Sequence, residues 1–88
     1  MFLYFSVDDQ DSRLGAFYPN PLKDISTLVL PDGTREVLVH GVSGELVKSW
    51  IPNSNVQQLN RTEFAAGMYT ITLEHHNGSH IMIKMIVE

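Results

Sequence analysis

Turn-forming clusters cut this chain at short intervals. DDQDS, PNP, PDG, GVSG, PNSN, AAG and HHNGS leave no window in which apolar residues recur at i, i+3, i+4 and i+7 over three turns. The segments between them are short and rich in β-branched and aromatic residues, and they alternate with period two. Strands are predicted at Phe2–Val7, Ser26–Leu30, Glu36–Val42, Glu45–Ile51, Val56–Leu59, Met68–Glu74 and His80–Val87. Many short strands with turn signals between them predict an all-β fold, two sheets packed face to face.

With 88 residues, 43% hydrophobic and 18% charged, the chain is long enough for one globular domain. Its net charge is −4 and its six Lys and Arg are scattered, which argues against a nucleic acid or an anionic membrane as partner. Without cysteine it has neither disulfides nor thiolate metal sites. Met1–Val7 is apolar but lacks a basic start and is short for a signal sequence. Asp8, Asp9, Gln10, Asp11, Ser12 and Arg13 form a polar, acidic stretch, read as a linker. The expected division is 1–13 as linker or remnant of a preceding passenger, and 14–88 as the domain.

The final hairpin can be read to its register. A two-residue Asn77-Gly78 loop would place Lys84 on the apolar face, and a slip of one residue exchanges the faces of a strand. A three-residue loop, His76-Asn77-Gly78, instead pairs Leu73 with Ile81, Ile71 with Ile83 and Tyr69 with Met85. Gly78 then takes the left-handed position of a type I turn with a G1 bulge. This register builds one coherent core face and turns Thr70, Thr72, Glu74, His80, Met82 and Lys84 to the other side. Beside that face, the terminal strand is expected to offer an exposed edge to which a partner strand could add.

Reacting groups do not assemble. Three of the four histidines lie in HHNGSH, but the predicted register sends His75 to the core face, His76 to the turn and His80 to solvent, so they diverge where a metal needs convergence. Ser43 in GVSGE lacks the spacing and the following helix of a nucleophile elbow. No catalytic residues, metal, cofactor or small-molecule substrate are expected.

Tyr18-Pro19-Asn20-Pro21 reads locally as a stiff, extended entry strand. Each proline lacks an N–H and fixes φ, and Pro21 keeps Asn20 out of the helical region. Such a segment suits an edge. The order of the blocks that follow adds to this. Gly44 with Leu46 and Val47 comes next, then Phe64-Ala65-Ala66-Gly67-Met68-Tyr69, then a strand from Ile81 to Val87. The series resembles the type A C-terminal sorting domain of type IX (Por) secretion system substrates, over about Leu14–Glu88.

That resemblance implies a compact, immunoglobulin-like antiparallel β-sandwich of about seven strands, without enzymatic activity. It implies an address that directs an upstream passenger from the periplasm across the outer membrane of a Bacteroidetes-type bacterium, to the surface or medium. The implied partners are the type IX secretion machinery and a sortase-like surface peptidase that removes the domain, with the cut expected in Asp8–Arg13. Tyr18, Pro19, Asn20, Pro21, Gly44, Gly67 and Tyr69 are the family-motif positions. Thr70, Thr72, His80, Met82 and Lys84 are the candidate recognition hairpin. The domain is expected to be a monomer or a weak dimer. The competing reading is a non-catalytic immunoglobulin-like accessory or interaction module of a bacterial surface protein, because a fold does not settle a function.

Overall fold

The structure, a computed structural model, describes residues 2–5 and 16–88. In chain order the strands are β1 (Phe2–Phe5), β2 (Ala16–Tyr18), β3 (Ile25–Val29), β4 (Thr34–Gly41), β5 (Leu46–Trp50), β6 (Val56–Asn60), β7 (Gly67–His75) and β8 (His80–Val87). A single 3-10 turn, Arg61–Glu63, separates β6 from β7. One sheet runs β1-β8-β7-β4-β5 and the other β2-β3-β6. Leaving β1 aside, seven strands divide four and three, and the chain crosses between the sheets after β3, β5 and β6. All pairs are antiparallel except β1 with β8.

Period-two patterning explains the two layers. In β4, Val37, Val39 and Gly41 are buried while Glu36, Leu38 and His40 are partly exposed. In β7 and β8, Ile71, Leu73, Ile83, Met85 and Val87 point inward. Phe17, Leu22, Leu28, Leu30, Leu59 and Phe64 meet them from the other side, and Trp50, Tyr69 and Ile81 close the margins. At about 25 cal/mol per Å² of apolar surface removed from water, this shared core is the main favourable term in folding.

The terminal hairpin has the predicted register. Leu73 faces Ile81, Ile71 faces Ile83 and Tyr69 faces Met85. The Gly78 N–H donates to the His75 carbonyl at 2.9 Å, and Gly78 has φ +90°. The β4–β5 hairpin uses the same device. The Gly44 N–H donates to the Gly41 carbonyl at 3.0 Å, and Gly44 has φ +91°. In both, glycine supplies the left-handed residue that a three-residue loop demands.

Two expectations need correction. The entry strand ends at Tyr18, and the chain bends through 19–21 in place of running extended, with both X-Pro peptides cis. The physical reason is pairing: Ala16–Tyr18 pairs with Thr27–Val29, whereas Asn20 and Leu22 are drawn to β8 in the other sheet. Three residues are also too short to show a period, so periodicity does not reveal β2. The second correction concerns the outer edge of β8, which is covered along its length. The acidic stretch Asp8–Arg13 lies outside the described residues.

Candidate recognition surface

The covering of β8 is built from three pieces. β1 pairs in parallel with the first half, Phe2 opposite His80 through Phe5 opposite Ile83. Further along, the Asn20 side chain takes the place of a strand residue. Its Nδ2 donates to the Lys84 carbonyl at 2.9 Å, and its Oδ1 accepts from the Ile86 N–H at 3.0 Å. Leu22 then continues in main-chain terms: its N–H donates to the Ile86 carbonyl at 2.6 Å, and its carbonyl accepts from the Glu88 N–H at 3.1 Å. The Leu22 side chain is fully buried, which anchors this connection to the core. Edge strands present unpaired groups that template foreign pairing, and here those groups are satisfied from within the chain.

The motif positions thus have structural work. Tyr18 ends β2 and is exposed. The Pro19 carbonyl accepts from the Ser26 hydroxyl at 2.5 Å, and Ser26 is the one buried polar residue among those described. Pro21 sits between the Asn20 clamp and the Leu22 bridge. Gly44 makes the β4–β5 turn. Gly67, at φ +153°, opens β7 in a conformation that L side chains rarely adopt. Tyr69 reaches back four residues, its hydroxyl donating to the Ala65 carbonyl at 2.5 Å, while its ring packs on Phe64 at a centroid distance of 5.4 Å. This is the tyrosine corner of immunoglobulin-like sandwiches. The sequence signal for it is a Tyr two residues after the glycine that opens the strand.

Thr70, Thr72, His80, Met82 and Lys84 share the outer face of the β7–β8 hairpin. Thr70 stands opposite Lys84 and Thr72 opposite Met82. Lys84 is exposed and the other four are half-buried. Below them Glu74 stands opposite His80, with Nε2 to Oε2 at 3.1 Å, and Arg35 of β4 pairs with the same carboxylate. Thr70 and Lys84 also border a shallow depression of about 150 Å³, completed by Gly41, Val42, Met68 and Tyr69. Met68 and Ile86 flank this region and are exposed. The surface therefore carries the Lys84 ammonium, threonine hydroxyls and apolar side chains, with the Arg35–Glu74–His80 cluster at one end.

The histidines sit apart. His75 packs under Gly33, where an added Cβ would collide with the imidazole, and its Nδ1 accepts from the Asn77 N–H at 3.1 Å. His76 is exposed in the turn, and its N–H donates to the Gly33 carbonyl at 3.0 Å. Among the described residues no three His, Asp or Glu side chains converge on a metal position. Ser43 is exposed in the β4–β5 turn.

Residues 16–88 match the model of a family described as the secretion system C-terminal sorting domain. No curated protein matches the chain. Among solved structures, PorZ resembles it with a TM-score of 0.64 and 19% identity, over 90% of this chain and 12% of that one. PorZ is described as an essential bacterial surface component of the type IX secretion system of Porphyromonas gingivalis. The chain thus spans about an eighth of that protein's length, and at this identity the likeness is one of fold.

Proposed function

The chain belongs to the family of secretion system C-terminal sorting domains, the secretion signals of type IX substrates, and on that premise we propose how its parts serve the signal. Residues 14–88 form the sorting domain and act without catalysis. Thr70, Thr72, His80, Met82 and Lys84 present the surface that the secretion machinery reads. The upstream passenger is carried through the periplasm and the outer membrane to the surface of a Bacteroidetes-type bacterium. A sortase-like peptidase then cuts within Asp8–Arg13.

The observation that carries this reading is the family match along the whole of 16–88. The geometry favours a face over an edge as the readout. The backbone of β8 is already paired by β1, Asn20 and Leu22, so the part of the terminal strand free to meet a partner is its outward side chains. The family-motif residues then build the domain and do not contact the partner.

The test is a fusion of residues 1–88, which keeps β1 on the edge of β8, to a periplasm-directed reporter in a host that has the machinery. The reporter reaches the surface with the intact domain and stays periplasmic when Ser79–Glu88 is removed. Because that deletion also removes core residues, a second variant combines Thr70→Lys with Lys84→Glu. It removes the net positive charge of the face and sets a new opposite-charge pair across the two strands, which keeps the hairpin favourable. An unchanged melting temperature with a periplasmic reporter supports the face. Normal export of this variant would sink the assignment of the face, and export of the Ser79–Glu88 deletion would sink the sorting role itself.

A further inference from the structure

The opposite margin of the large sheet holds a second surface. β5 has β4 on one side, and among the described strands nothing pairs with its other side. β6, the margin of the small sheet, likewise has β3 alone. Between these two strands lies a groove of about 230 Å³ lined by Lys48, Trp50, Gln57, Gln58, Leu59 and Glu63. The register places Trp50 opposite Val37 and Lys48 opposite Val39, both inward positions, which turns these two side chains toward the groove. A bulge at Val39/His40 then returns Leu46 to the outer face opposite His40. Leu46 and Val47 are exposed, and Ile51 just beyond is 78% exposed.

One group in this groove lacks a partner. The Trp50 indole N–H is out of contact with solvent and has no acceptor, the one such side-chain atom among the described residues. Buried donors are almost always paired in native proteins, so an orphan marks a place where an acceptor is missing. The Lys48 ammonium lies 5.5 Å from the Trp50 ring and is held by Glu63 Oε1 at 2.5 Å. That ion pair is partly exposed, 42% and 31%, and such pairs are weakly held, so it can open toward an incoming ligand.

We propose that the β5 edge and this groove together receive an extended segment of another polypeptide, added as a strand to Leu46–Trp50 and placing an uncharged oxygen acceptor on the Trp50 indole N–H. The class of acceptor follows from the local charge. Lys48 and Glu63 already neutralise each other, so a further charge brought into the groove would go uncompensated, whereas an Asn, Gln, Ser or Thr side chain brings none and also suits the amides of Gln57 and Gln58. A second copy of this chain fits poorly. Antiparallel pairing of β5 with itself about its midpoint sets Lys48 opposite Lys48, and like charges directly opposite destabilise a sheet. The partner strand is accordingly of different sequence, β-branched for pairing and polar but neutral toward the groove.

The probe is a displayed library of linear nonapeptides panned against the intact 88-residue chain, with the enriched peptides synthesised and titrated by NMR. Expected are sequences with β-branched residues and a central neutral acceptor. Their binding shifts the Trp50 indole N–H resonance and slows exchange of amides in Leu46–Trp50. Trp50→Phe keeps an aromatic six-membered ring and removes the N–H with the rest of the indole; it weakens binding by about threefold to tenfold, while the melting temperature, measured alongside, reports the lost packing separately. Four outcomes each overturn the proposal. The library yields no enrichment; the peptides bind elsewhere or carry charged consensus residues; Trp50→Phe binds equally well; or β5 becomes protected without peptide as sedimentation reports a dimer.

Discussion

β8 and β5 are the two outermost strands of the same four-stranded antiparallel array, and they are finished in opposite ways. Each ends a hairpin whose turn has three residues with a glycine at φ near +90°. β8 buries Ile83, Met85 and Val87 and has its outer backbone paired by β1, Asn20 and Leu22. β5 is exposed from Leu46 to Ser49 and its outer backbone is free among the described strands. Identical turn chemistry thus says nothing about how an edge is used. What separates them is the chain that happens to cross nearby: the connection after β2 runs over β8, and none of the described segments runs over β5.

The comparison can be broken most forcefully in the core. Ile83→Ala should lower stability by about 2–5 kcal/mol, because a fully buried side chain leaves a cavity. Leu46→Ala on the opposite strand should stay within about 0.5 kcal/mol, as an exposed substitution does. Urea midpoints of the two variants measure this, and similar losses would contradict the assigned asymmetry.

The turns should instead behave alike. Gly44→Ala and Gly78→Ala are each expected to cost about 1–2 kcal/mol, the penalty of a left-handed residue with a Cβ. At neither position would the new Cβ meet an atom within 4 Å, so no packing term separates them. Thermal denaturation giving unequal shifts would show that the shared turn geometry hides different environments.

Asn20→Ala sharpens the edge argument at about 1 kcal/mol, since its two hydrogen bonds to β8 are net contributors of ordinary size. The informative readout is hydrogen exchange. The Ile86 amide should speed up while the amides of Leu46–Trp50 remain unchanged. If Ile86 keeps its protection, the side-chain clamp is not what seals this end of the strand.

A small effect is expected for Arg35→Ala. Its ion pair with Glu74 lies on the exposed face, and pairs of this kind contribute about 0–1 kcal/mol. A larger loss in urea would mean that Arg35, Glu74 and His80 act as a network rather than as separate surface contacts.

The register of the β7–β8 hairpin is legible in the sequence, because one loop length alone gathers Tyr69, Ile71, Leu73, Ile81, Ile83 and Met85 on one face. The grouping of Thr70, Thr72, His80, Met82 and Lys84 follows from the same parity. The clamp on β8 is not legible there. It rests on an Asn side chain meeting backbone groups 64 and 66 residues away, and no local pattern encodes such a distance. β2 is hidden by its length, and the bulge that turns Lys48 and Trp50 toward the groove leaves no mark in the alternation of Glu45–Ile51.

Local chemistry by itself determined that this chain makes short strands, where most of them turn, and which side chains of the β7–β8 hairpin face inward. Those are consequences of period-two burial and of residues that tolerate particular backbone angles, and they act within a few residues. Tertiary structure alone decided which edge is sealed and which is left unpaired among the described strands. That outcome depends on where distant segments cross, through hydrogen bonds between groups whose types are common and whose proximity exists only in the folded chain.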